Sequence, residues 1–177
     1  MLTFHFPKKV KFICALIYQD ETVYSKVKVL LERKFGALDF ESKPILFDFT
    51  DYYCAEMGGG LTKRLVAFKK LQDAARFVQI KRSCVALETR YSRDTRRSIN
   101  IDPGYLNEAH LVLTSTKDFY HRLYLGKGVF AEVTLYYAHR QFQDLPWTYP
   151  DYRTGAHKEM LMQIRNVYVG QIKKNSR

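Results

Sequence analysis

The chain has 177 residues, 46% of them apolar, with 13 Tyr, 12 Phe and 1 Trp, enough to fill the core of a single domain over 1–177. That excludes a disordered tail and a minimal stapled scaffold. Lys plus Arg exceed Asp plus Glu by 29 − 18 = 11, so the surface field attracts polyanions such as nucleic acid, nucleotides or anionic lipid.

Residues 10–18, apolar at every position except Lys11, form a run of strand length, which predicts a buried central strand. Gln19-Asp20-Glu21-Thr22 then supplies helix-start residues, Val23, Val27, Leu30, Leu31 and Phe35 recur at helical spacing, and Gly36 is placed to end the helix. Segments 38–41 and 44–50 predict a bent strand in which Asp48 points away from Phe47 and Phe49. A glycine-rich loop over 51–60 leads to a strand at 61–68 and a helix over 73–91, with Phe77, Ile80, Cys84, Leu87 and Tyr91 on one face. Residues 90–97 set Arg90, Arg93, Arg96 and Arg97 around Asp94 and predict an exposed loop. A short strand at 98–102 ends in Asp102-Pro103-Gly104, which has turn composition.

This order, βαββαβ, is the signature of a ferredoxin-like α+β core with a mostly antiparallel sheet and helices on one face. The remainder predicts an extension: a strand at 109–115, a hairpin of 120–125 with 129–137, and an amphipathic helix at 154–173 clamped by the Trp147 segment. A three-residue Gly126-Lys127-Gly128 loop sets Leu125 opposite Val129, Leu123 opposite Ala131 and Arg122 opposite Glu132. Tyr120, Tyr124, Phe130 and Thr134 share the Arg122–Glu132 face, the candidate cleft. Leu123, Leu125, Val129, Ala131 and Val133 form the greasier face, with His121 among them.

Cys14, Cys54 and Cys84 show no CxxC spacing, which argues against a disulfide framework or a zinc finger and favours the cytoplasm. The apolar run after Lys8, Lys9 and Lys11 is too short to span a bilayer, and no cleavage site follows it, so a soluble, unprocessed chain away from membranes is expected.

Four stretches are dense in polar and aromatic residues: 47–58, 100–106, 115–135 and 145–153. They contain FDFTDYY, NIDPGYL, TKDF-HR-YLGKG-AEVTL and LPWTYPDYR. Over about 10 to the last helix the chain resembles a bacterial family catalogued as a domain of unknown function, number four-four-one-six. The resemblance implies no reaction, although family members are sometimes labelled GTP-binding. No P-loop is present: Gly58-Gly59-Gly60 with Lys63 and Arg64 has the wrong spacing and precedes a strand, leaving at most an anion nest. Lys127-Gly128-Val129-Phe130 departs from the aromatic signature of the common RNA-binding sheet after two positions. No G-x-S-x-G elbow or catalytic Cys signature occurs.

These residues point first to a basic protein binding RNA or phosphate-bearing nucleotides. Lys63, Arg64, Arg93, Arg96, Arg97, Lys117, Arg122 and Lys127 are the candidate phosphate contacts, and Tyr52 and Tyr105 the leading stacking rings. The rival is metal-assisted phosphoryl transfer or phosphoester cleavage, with Asp48, Asp51 and Asp102 holding Mg²⁺ or Mn²⁺ and Asp48, Asp51 and His121 in catalytic roles. Oligomeric state is left open.

Overall fold

The computed structural model describes residues 3–94 and 96–175, except for the side chains at 51, 54, 55 and 175. Strand β1 (Lys11–Tyr18) is buried along its whole length. Asp20 accepts a 2.7 Å hydrogen bond from the Thr22 N–H and opens helix α1 (Glu21–Phe35), which ends at Gly36 with φ +102°. There follow β2 (Leu38–Glu41), β3 (Ile45–Leu46), α2 (Cys54–Met57), β4 (Thr62–Phe68), α3 (Phe77–Arg90), β5 (Ser92–Arg93), β6 (Arg96–Arg97) and β7 (Ile99–Leu106). The rest comprises β8 (His110–Ser115), β9 (Leu123–Gly126), β10 (Val129–Ala138), β11 (Gln141–Asp144) and α4 (Gly155–Asn175).

The main sheet runs β11-β10-β8-β7-β1-β4-β2, with β3 on β4 and β9 on β10, and its ladders are antiparallel. Alternation along β1 divides the core. Phe12, Cys14, Leu16 and Tyr18 pack against Tyr24, Val27 and Leu31 of α1 and Phe77, Ile80 and Cys84 of α3. Ile13 and Ala15 face the other way, with Leu65, Leu106 and Leu111, beneath Leu161, Ile164 and Tyr168 of α4. The expectation of helices on one face therefore holds for α1 and α3 alone; the apolar stripe of α4 covers the second face. Among the described residues, no helix is long and apolar enough to cross a membrane.

Asp102-Pro103-Gly104 is not a turn but the middle of β7. Strand β1 pairs with β7 from Lys11↔Leu106 to Tyr18↔Ile99, whereas β8 pairs only with Gly104, Tyr105 and Leu106. Between Ile99 and Pro103 one edge of β7 is thus open. The Ile101 N–H, pointing away from β1, is taken by Glu88 Oε1 at 2.6 Å, and the Ile101 carbonyl accepts from Lys81 Nζ at 3.1 Å. Two side chains of α3 thus stand in for the missing strand partner. Two residues on, the absent N–H of Pro103 falls on the same open edge, where proline is tolerated. Gly104 is required for a different reason: a Cβ there would lie 2.3 Å from the Val112 carbonyl oxygen of β8.

Three other expectations are corrected. Within 90–97, Arg90 ends α3 and Ser92–Arg93 pairs with Arg96–Arg97, β5 on β6, with Asp94 at φ 47°. Only β3 is regular within 44–50, where the chain turns inward on Phe47 to make a third small cluster with Ile17, Met57 and Leu61. Strand β11 was not anticipated, because the preceding turn is made by His139 and Arg140, both at positive φ, without the glycine or asparagine that usually marks it.

The β9–β10 connection is a two-residue turn, Lys127-Gly128, closing on Gly126↔Val129 instead of Leu125↔Val129. A register shift at the next position restores Tyr124↔Phe130 and Leu123↔Ala131, so Arg122 still meets Glu132. The burial of the two faces is not as expected. Glu132 and Thr134 are buried, whereas Leu123, Leu125 and Val133 are exposed, and His121 turns to Glu132.

Candidate functional site

The open edge of β7 is one wall of a cavity of about 460 Å³, within the range of roughly 300–1,000 Å³ usual for small-molecule sites. All four of the dense sequence stretches reach it: Phe47, Phe49, Tyr52 and Tyr53; Asn100 and Asp102; Ser115, Lys117 and Arg122; Tyr149, Asp151 and Tyr152. Register explains part of this convergence. Lys63, Ile17 and Asn100 are aligned across β4, β1 and β7, and Asp102 lies one row further along, opposite Ala15. These side chains share the α4 face, beyond the region of the sheet that α4 covers.

Basic groups surround the space: Lys63 from β4, Lys81 from α3, Arg97 from β6, Lys117 from the loop after β8, and Arg122 before β9. Most are held by carboxylates. Lys63 Nζ forms a buried ion pair with Asp151 and lies 4.1 Å from the Tyr152 ring centroid. Arg97 makes two 2.6 Å bonds to Glu56 and one of 2.7 Å to Asn100 Oδ1. The Glu56 side chain, followed by burial working the other way, accounts for an Arg97 pKa above its usual value. Burial works to lower the Lys81 pKa, but Asp102 and Glu88 outweigh it and hold the ammonium above its ordinary range. Arg122 Nε bonds Glu132 at 2.8 Å, and its other nitrogens reach Ser115 Oγ, the Lys117 carbonyl and, at 2.7 Å, Tyr149 Oη. Behind it Glu132 also accepts from Thr134 Oγ1 at 3.2 Å and meets His121 Nε2 at 2.9 Å, with His121 stacked on Trp147.

Lys117 differs from these. It is exposed at the cavity edge, contacts Tyr52 Oη and stands 3.8 Å from that ring's centroid. Among the described residues no carboxylate lies within ion-pair distance of it. Tyrosine hydroxyls complete the site. Tyr53 is raised well above the usual phenol range by burial and then by Asp102, and Tyr149 is raised to about 12 by burial and then by Glu132. These hydroxyls therefore remain donors at neutral pH.

Of the residues singled out by sequence, Lys63, Arg97, Lys117, Arg122, Tyr52 and Asp102 line this cavity. Arg64 lies elsewhere on β4, bonded to Glu21, Glu41 and Tyr18, so no anion nest joins it to Lys63 and the glycines. Arg93 and Arg96 sit on the β5–β6 hairpin and line a second, larger cavity of about 870 Å³, which Arg97 borders as well. Lys127 is in the hairpin turn, and Tyr105 is half-buried against Phe77 and His110. Asp48 is exposed outside the cavity, and His121 lies behind Arg122. The Asp51 side chain lies outside the described residues. Asp102 accepts from Asn100 Nδ2 at 2.6 Å and faces Lys81 Nζ at 3.4 Å, which supplies a counter-charge to this carboxylate. Among the described residues, no group of three His, Cys, Asp or Glu side chains could hold a metal ion.

Lys81 and Glu88 were missed because they read as the polar side of a helix. Their available signal was position: seven residues apart, they flank the Ile80–Cys84 stripe and are nearly buried. His157, also buried, sits 3.6 Å from Asp151 Oδ2 and 3.0 Å from Thr154 Oγ1. Burial, then the Lys63 ammonium, lowers its pKa from 6.5 to about 4 against the pull of Asp151. The unfolded chain therefore takes up this proton first as pH falls. Unfolding free energy should drop by roughly 3 kcal/mol between pH 7 and about 4, and His157→Gln should remove most of that slope in urea titrations.

These features define a three-layer α/β protein with a mostly antiparallel sheet and a basic, tyrosine-rich cavity at an interrupted strand ladder. The chain belongs to the DUF4416 family, a domain of unknown function, which it matches over residues 8–168. No curated protein and no solved structure matches it.

Proposed function

We propose that this protein binds a phosphate-bearing nucleotide in the cavity beside β7. One observation carries this reading: Lys117 and Arg122 stand together at the rim of a partly open cavity whose lining includes aromatic rings and hydroxyl donors. Lys117 supplies a compact charge with no carboxylate partner among the described residues, while Arg122 is pre-oriented by Glu132 and Ser115. Phe47, Phe49, Tyr52 and Tyr53 offer faces and edges to a flat heterocycle. A volume of about 460 Å³ suits a mononucleotide, whereas an RNA strand needs a longer open track of rings and cations. The scaffold is read as a ferredoxin-like core, supported by the order β7-β1-β4-β2 with α1 and α3 on one face, enlarged by β8 to β11 and α4. The free thiols of Cys14 and Cys84 fit a cytoplasmic setting.

Calorimetric titration with adenosine, guanosine, cytidine and uridine 5′-monophosphates tests the reading. Saturable heat is expected for at least one of them, and Lys117→Ala should weaken it by about tenfold or more without moving the melting temperature. Absence of heat with all four would remove the proposal, and retention of RNA alone would return the function to the arginine-rich hairpin.

A further inference from the structure

Among the described residues, three carboxylates line the cavity beside β7: Glu88, Asp102 and Asp151. Two of them are covered and already committed: Glu88 accepts the Ile101 N–H at 6% side-chain exposure, and Asp151 pairs with Lys63 at 5%. The Asp102 side chain differs, at 32% exposure. It stands on β7 opposite Ala15, on the same face of the strand as Asn100, which also lines the cavity. Its oxygens are held in place and half used. Asn100 Oδ1 accepts from Arg97 at 2.7 Å, which orients the amide so that Nδ2 donates to Asp102 Oδ2 at 2.6 Å, while Lys81 Nζ lies 3.4 Å from Oδ1. A carboxylate offers about four acceptor positions, so about two stay available to a ligand.

Resting on the nucleotide reading, we infer that Asp102 is a specificity-determining residue that accepts a hydrogen bond from a neutral N–H or O–H donor of the bound nucleoside.

Repulsion sorts the two ends of the ligand. A phosphate beside Asp102 would meet like charge, whereas Lys117 and Arg122 at the rim attract it. What the carboxylate takes is a donor without negative charge, and a nucleoside carries such donors as base N–H groups and ribose hydroxyls. The surrounding phenols feel the same field: burial comes first in raising the pKa values of Tyr53, Tyr149 and Tyr152, and the Asp102 charge adds to it in all three. These rings come from three separate places in the chain and line the same cavity. A ligand that lacks the donor leaves the Asp102 acceptor positions unpaired inside the filled site, which is the physical source of discrimination.

The test starts from whichever of the four nucleoside monophosphates binds most tightly and compares it with analogues that each lack one donor: an exocyclic amine or ring N–H of the base, the 2′-hydroxyl, or the 3′-hydroxyl. At least one analogue should bind the unaltered protein about tenfold more weakly. A loss with a base analogue assigns the donor to the heterocycle, and a loss with a deoxy analogue assigns it to the ribose. Asp102→Glu keeps a carboxylate for Lys81 but moves its oxygens by one methylene. This variant should bind the parent nucleotide about tenfold more weakly and no longer distinguish it from that analogue. If the variant binds the parent as tightly as the unaltered protein does, or still discriminates against the analogue, the inference is overturned while the nucleotide site stands. The analogue series needs no variant: if no analogue binds more weakly than its parent, the inference is overturned whatever Asp102→Glu does to folding. If the unaltered protein binds none of the four, the functional reading falls and this inference with it.

Discussion

Asp151→Asn should destabilise the protein by about 3–5 kcal/mol, because it leaves the Lys63 charge in the interior with no counter-charge. Both partners are almost fully covered, with side-chain exposures of 5% and 5%, and Lys63 is further enclosed by the Tyr152 and Phe47 rings. Water cannot replace the lost carboxylate. The pair itself is a weak source of net stability, since bringing both charges out of water cancels much of their attraction. Hence the double change Lys63→Met with Asp151→Leu should recover most of the loss. Urea unfolding of the three proteins measures this directly. A loss below about 1 kcal/mol for Asp151→Asn would mean that solvent reaches Lys63 and that this part of the cavity is open.

Glu132→Ala should cost a similar amount, about 3–5 kcal/mol, and should also weaken ligand binding. Glu132 is 3% exposed and gathers Arg122 Nε, His121 Nε2 and Thr134 Oγ1 around one carboxylate. Its removal strands a guanidinium that is itself only 10% exposed and frees it from the orientation that aims it at the rim. Glu132→Gln keeps one carbonyl acceptor and the shape, so it should lose less stability yet still loosen Arg122. Equal melting temperatures for Glu132→Ala and the unaltered protein would contradict the buried network.

Local chemistry made the helices and β1 legible. The Asp20 cap, the stripe Val23, Val27, Leu31 and Phe35, and Gly36 each act within a few residues, and α1 forms where they place it. The apolar run from Phe12 to Tyr18 in β1 marks a strand buried on both faces for the same reason. Pro103 and Gly104 were misread because their cause is not local. A proline tolerated at an interrupted ladder and a glycine forced by the Val112 carbonyl look, in sequence, like a turn. The register of Arg122 and Glu132 was legible, but not the two-residue turn and compensating shift that produce it. In the site, the density of polar and aromatic residues identified the segments that converge, yet charge alone does not separate the cavity's cations from Arg93, Arg96 and Lys127, which lie elsewhere. Lys81 and Glu88 were hidden because their task, replacing β8 at Ile101, exists only once the sheet has formed.

The most direct measurement is a crystal structure of the protein grown with the tightest-binding of the four nucleoside monophosphates. The expected result is phosphate density within hydrogen-bond distance of Lys117 Nζ and the Arg122 guanidinium, with the base among Phe49, Tyr53 and Tyr152. Nucleotide density on the β5–β6 hairpin, with the cavity beside β7 holding only water, would contradict it.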